Sequence, residues 1–153
     1  MTREYLLELA REIAPAGESA SREYMDKADR LVSRINERML DREDVSELVG
    51  ADNIEMMKDN HANHVRFIGS MLHAFDARVL VETVLWVFRA YRSRGFRDTY
   101  WAAQLNGWVE ILREELSPEA FREVYPIYEW MQVNIPLFVR LSENEAPTDE
   151  PGH

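Results

Sequence analysis

Apolar residues recur along almost the whole chain with a period of about 3.6, and no segment alternates in the manner of a strand. Tyr5, Leu6, Leu9 and Ile13 form one stripe, which predicts a first helix over 2–13. Pro15 and Gly17 break it. Ser19 or Ser21 is placed to cap a long second helix over 20–40, with Tyr24, Ala28, Leu31, Val32, Ile35 and Met39 facing inward. The opposite face is charged, and its acid–base pairs at helical spacing contribute only about 0.2–0.5 kcal/mol each. A single helical segment over 45–49 ends at Gly50.

Asp52 or Asn53 heads the next helix, 54–75, whose stripe is Ile54, Met57, His61, His64, Ile68, Met71 or Leu72, and Phe75. Asp76 caps a helix over 77–94 that is apolar nearly all round, the pattern of a central, buried helix. Gly95 suits its left-handed C-terminal cap. Asp98 or Thr99 opens a helix to about 115, burying Trp101, Leu105, Trp108, Val109 and Leu112. Ser117, Pro118 and Glu119 are a strong start signal for the last helix, which carries Phe121, Val124, Tyr128, Met131, Ile135 and Phe138. Pro126 and Pro136 are expected to kink or restart it. The expected architecture is all-α: one domain of about seven helices over 1–141, globin-like or an antiparallel bundle, then an acidic disordered tail over 142–153.

Composition narrows the function classes. The 153 residues suit one domain with a real core, and the absence of cysteine excludes disulfides, thiolate nucleophiles and thioether-linked cofactors within the chain. A net charge of −10 disfavours sequence-independent nucleic-acid binding. No apolar window of about 18 residues is present, so no membrane-spanning helix is expected. The N-terminus lacks a signal-peptide pattern, which points to the cytoplasm.

Asn60, His61 and His64 carry the first candidate chemistry. The two histidines lie three apart on one helix face and continue its apolar stripe, so both rings should point inward. A buried imidazole needs a hydrogen-bond partner or a ligand. The alternatives are a ligand contact (a metal, a tetrapyrrole iron or an organic molecule) and a pair of core histidines held by neighbouring groups. A dedicated metal site is disfavoured: zinc takes three or four protein ligands, and no Glu stands three residues before a histidine as in di-iron bundles.

Arg89, Arg92, Arg94 and Arg97 form the second constellation, four arginines within nine residues of an acidic chain. They complement a helix C-terminus and could also anchor an anion. The third is the aromatic set Trp86, Tyr91, Phe96, Tyr100, Trp101, Trp108, Tyr125, Tyr128 and Trp130, which reads as core or as the lining of a pocket for a flat ligand. With the helices 54–75 and 77–94 antiparallel side by side, His64 and Tyr91 fall at nearly the same height, with His61 near the level of Arg94. This predicts a pocket lined by Asn60, His61, His64, Trp86 and Tyr91, with Arg92 and Arg94 at its rim, for a small anionic or aromatic molecule. No Walker loop, dinucleotide fingerprint, zinc-protease motif, nucleophile elbow or kinase motif occurs. Asp59 beside His61 or His64 is the only acid–base pair in view, so no catalytic residue is expected.

The helix count and the string HANHVRFIGSMLHAFDARVLVETVLWVFRAYRSRGF, followed by TYWAAQLNGWVEILREELS, resemble all-helical sensory modules of bacterial signalling proteins. That group includes globin-like sensors and the helical regions attached to cobalamin-binding domains. The similar stretch covers about 60–141. The resemblance implies a ligand-binding or signal-sensing regulatory domain with a separate output protein, and leaves a tetrapyrrole cofactor open. One departure stands out: the helix 77–94 has no histidine to serve as a proximal haem ligand. A second reading is a helical protein–protein interaction module acting as a homodimer.

Overall fold

The computed structural model describes residues 2–143, and the regular secondary structure over them is all helical, with no strand. Nine α-helices follow in order: α1 (Arg3–Arg11), α2 (Glu18–Asp26), α3 (Ala28–Leu40), α4 (Val45–Val49), α5 (Ile54–His73), α6 (Ala77–Ser93), α7 (Thr99–Glu115), α8 (Pro118–Val133) and α9 (Ile135–Glu143). A short 3-10 turn, Ala51–Asn53, joins α4 to α5. Among the described residues no helix is long and apolar enough to cross a membrane.

Asp76 and Ser117 cap their helices as the sequence predicts, and Thr2 does the same for α1, which the sequence reading did not assign. The side chains of Thr2, Asp76 and Ser117 accept from the backbone N–H groups of Tyr5, Val79 and Ala120, closing the first turns of α1, α6 and α8. Gly50 and Gly95 take positive φ of 97° and 101°, where a side chain would be strained, and turn the chain after α4 and α6. Asn53 does not cap α5. Its amide instead donates to the carbonyls of Val49 and Arg94, each at 2.8 Å, and ties the two turns together.

The expected helix 20–40 is two helices. The chain starts α2 at Glu18, with Gly17 rather than a serine before it, and breaks at Lys27. Lys27 ends α2 and reaches the carbonyl of Glu115 at 2.6 Å and the carboxylate of Glu23 at 3.0 Å. The break turns Tyr24 toward α5 and α8 while Leu31, Ile35 and Met39 face α5 and α7. At the other end, Pro126 sits inside α8 without ending it. Pro136 instead stands in the first turn of a new helix, α9.

The bundle proper is α2, α3, α5, α7 and α8. In it α3 packs on α5 and α7, α2 on α5 and α8, and α7 on α8. Glycine lets side chains approach closely at two of these crossings. A Cβ on Gly69 would meet the Met25 sulfur, and one on Gly107 would stand 2.9 Å from Ile35 Cδ1. Ion pairs sew the outside: Glu115 receives Arg30 and Arg34, and Arg38 pairs with Glu110.

Helix α6 is not the centre of this bundle. It packs on α1 and α9 and faces the bundle through long side chains. Phe88 stacks on Trp101 with centroids 4.6 Å apart, and Tyr91 meets Trp101 edge-on at 5.9 Å. Being covered on both sides explains why its sequence is apolar nearly all round. It also means that α5 and α6 do not pack closely side by side.

The expected tail boundary shifts as well. Helix α9 runs to Glu143, and Ser142 is buried. The remainder of the tail lies outside the described residues.

Candidate functional site

Both histidines of α5 are drawn into hydrogen-bonded networks. His61 is fully buried. Its Nδ1 lies 2.6 Å from Asn36 Oδ1 on α3 and its Nε2 lies 3.1 Å from the Tyr100 hydroxyl on α7. The same hydroxyl donates to Asn60 Oδ1 at 2.8 Å, and Gln104 donates to Asn60 Oδ1 at 2.7 Å and to Tyr100 at 3.2 Å. Burial pushes the His61 pKa down to about 3, so the ring is neutral at ordinary pH. A neutral ring that donates from Nδ1 to Asn36 must accept at Nε2. Tyr100 then offers one proton to two acceptors, Asn60 and His61.

His64, one turn on, is partly exposed and forms the second network. Its Nε2 lies 2.8 Å from the Tyr128 hydroxyl, which lies 2.7 Å from that of Tyr24. Burial raises the pKa of Tyr24, Tyr100 and Tyr128. Trp108 separates the networks, stacked 4.8 Å from His64 and edge-on 6.1 Å from His61. Its indole nitrogen is buried and has no hydrogen-bond partner.

Where α6 stands off from α5, a cavity of about 40 Å³ remains, bordered by side chains of α5, α6, α7 and α8. Most of its wall is apolar, including Phe67, Ile68, Val87, Phe88, Leu105 and Met131. Four polar side chains converge on it: Asn60, His64, Thr83 and Gln104. Thr83 is 0% exposed, and its hydroxyl makes no hydrogen bond. No Lys, Arg, Asp or Glu lines the cavity.

The seven residues expected to share one pocket separate into four places. Asn60 and His64 line the cavity, while His61 is held behind it by Asn36 and Tyr100. Trp86, Tyr91 and Arg94 border a different, shallow groove of about 130 Å³ with Met56. Arg92 binds Asp98 at 2.9 Å and the Ser142 hydroxyl at 2.9 Å, locking the end of α6 to α7 and α9. The register explains the separation. His64 stands level with Thr83, Val84, Val87 and Phe88, whereas Tyr91 and Arg94 stand level with Met56 near the start of α5. The arginines therefore do not rim the histidine site.

Asp59 is exposed while His61 is buried, so the two form no acid–base pair. Among the described residues no group of three His, Asp or Glu side chains comes together to hold a metal ion.

The partners that sequence reasoning did not assign are Asn36, Thr83, Gln104, and the hydroxyls of Tyr24, Tyr100 and Tyr128. Tyr100 and Gln104 lie four apart on one face of α7, which was a usable signal. Nothing local marks Asn36 or Thr83. No protein-family profile matches the chain, and neither a curated protein nor a solved structure does.

Proposed function

We propose that this chain is a non-catalytic sensing domain that binds a small, uncharged molecule in the cavity between α5 and α6. The observation that carries this reading is the convergence of Asn60, His64, Thr83 and Gln104 on an otherwise apolar cavity. Such a wall suits a molecule with an apolar body and one polar end. The lack of charged residues on the wall argues against an ion, because an unpaired charge there would lose its hydration without compensation. The resemblance of 60–141 to helical sensory modules points in the same direction.

Size restricts the ligand further. One water needs about 10–15 Å³ of such space, and drug-sized molecules need about 300–1,000 Å³. At about 40 Å³ the cavity suits a molecule of a few heavy atoms. A tetrapyrrole would require α6 to move away, and a histidine ligand to its iron would require breaking the bonds of His61 or His64. Filling the cavity instead pushes on α6, which carries the effect to α1 and α9.

The test is thermal unfolding with millimolar propanol, acetamide or acetone, for wild type and for Leu105→Phe, which fills the cavity. Saturable stabilisation of the wild type is expected, about 2.7 kcal/mol at a hundred times Kd, and none in the variant. Equal responses of the two proteins, or no saturable response to any probe, would remove the cavity as a ligand site.

A further inference from the structure

A second feature lies on the surface, away from the cavity. The last turn of α1, the chain after it and the C-terminal half of α8 enclose a groove of about 520 Å³. Leu9, Ile13, Ala14, Pro126, Trp130 and Val133 form its apolar surface. Val133 is 66% exposed, by a wide margin the most exposed large hydrophobic residue described. Trp130 is nearly buried at the base, with its ring against Phe138 and its indole nitrogen unpartnered. The only charged groups lining the groove are the carboxylates of Glu12 and Glu129.

We propose that this groove docks a basic amphipathic segment of a partner protein. Apolar side chains of that segment cover Trp130 and Val133, and its Lys or Arg residues meet Glu12 and Glu129. Charge complementarity selects this occupant. A second copy of the chain carries a net charge of −10 and would bring acid to an acid-edged groove. The chain's own 144–153 segment holds Glu145, Asp149 and Glu150 and no Lys or Arg, so it is repelled in the same way. The groove is also preformed. Asn134 donates to the Trp130 carbonyl at 2.8 Å and fixes the end of α8, which reduces the ordering cost of binding. Grooves that receive amphipathic helices combine an apolar floor with charged edges in this manner.

The probe is a synthetic amphipathic peptide of Leu and Lys, with a Leu and Glu peptide as its counterpart, titrated into the ¹⁵N-labelled full chain. The Trp130 indole resonance, assigned by its loss in Trp130→Phe, reports the groove. The Lys peptide is expected to shift that resonance and the Glu peptide to leave it in place. Val133→Lys and the double change Glu12→Lys with Glu129→Lys should each weaken binding at least tenfold. Glu37→Lys with Glu55→Lys changes net charge equally on exposed sites elsewhere and should have a much smaller effect. The Val133 and glutamate substitutions are at exposed positions, and unchanged thermal unfolding confirms that the variants fold. Equal losses in the two double variants would assign binding to overall charge and overturn the proposal. An unmoved Trp130 resonance would do the same. A concentration-dependent dimer seen by light scattering and abolished by Val133→Lys would give the groove to a second copy instead.

Discussion

The two sides of the cavity are built on opposite principles. On the α5 side, polar side chains are bonded into chains that reach α3 and α7, and α8 and then α2: Asn36 to His61 to Tyr100, and His64 to Tyr128 to Tyr24. On the α6 side the contacts beside the cavity are apolar and aromatic, and the buried Thr83 hydroxyl has no partner. Directional bonds fix the register of α5 against three helices, because a shift of either partner leaves a buried group unsatisfied. Apolar packing holds α6 with less geometric demand, so α6 is the element that can yield when the cavity fills. The contrast predicts that polar substitutions on the two sides differ in sign as well as size.

The largest expected effect tests the α5 side through pH. His61 has a folded pKa of about 3, below the value of about 6.5 for an exposed histidine. The unfolded chain therefore binds a proton that the folded chain refuses between these values. The stability held above pH about 6.5 is lost as pH falls, at up to about 1.4 kcal/mol per unit, until the folded ring protonates near pH 3. Between pH 6.5 and 4.5 the loss from this one group should approach about 2 kcal/mol. Urea unfolding across this range should show a shallower slope in His61→Gln, which can still hydrogen-bond but does not titrate. Identical slopes would place His61 in a wetter site than its partners indicate.

Tyr100→Phe removes the hydroxyl shared by Asn60, His61 and Gln104. Asn60 keeps the Gln104 amide, but His61 Nε2, an acceptor, is left without a donor in a fully buried site. A loss of about 1–3 kcal/mol is expected from chemical denaturation, which is the cost of an unsatisfied buried group. A loss near zero would mean that the network rearranges and does not fix α5.

How legible this was from sequence differs between the same two sides. The α5 stripe placed His61 correctly in the interior, because a period of about 3.6 is a local property. The all-α class and the start of α6 and α8 were legible for the same reason, from Asp76 and Ser117. The partners were not, since Asn36, Tyr100 and Tyr128 come from three other helices. The α6 stripe was misread as the centre of the fold. An all-round apolar helix is consistent with several neighbours, and nothing local says that these are α1 and α9 in place of α5. The break at Lys27 has no Gly or Pro to announce it and depends on the reach of its amine to Glu115.

The C-terminal boundary supplies a smaller test of the α6 layer. Arg92 bonds Ser142, which is buried at the end of α9. A chain ending at Leu141 should lose about 1 kcal/mol, the value of one such bond with its burial. A chain ending at Glu143 should match the full chain within about 0.5 kcal/mol. Equal stability of the two truncated chains would show that α9 is held by Leu137 and Phe138 alone.

The smallest expected effect is the most discriminating, because it repeats the Tyr100 experiment on the other side of the cavity. Thr83→Val replaces one hydroxyl by a methyl group of nearly the same shape, in a helix where the β-branch is retained. Tyr100 donates and accepts, so its deletion costs stability. Thr83 does neither, so its hydroxyl was desolvated on folding without return. Its deletion should leave stability unchanged or raise it by up to about 1 kcal/mol. Addition of a saturating probe molecule should then reverse the ranking if the hydroxyl bonds the ligand, with wild type gaining more than the variant. A loss of about 1 kcal/mol or more in the unliganded variant would show that the hydroxyl is already partnered by water. The two sides of the cavity would then be alike, and α6 would be as firmly held as α5.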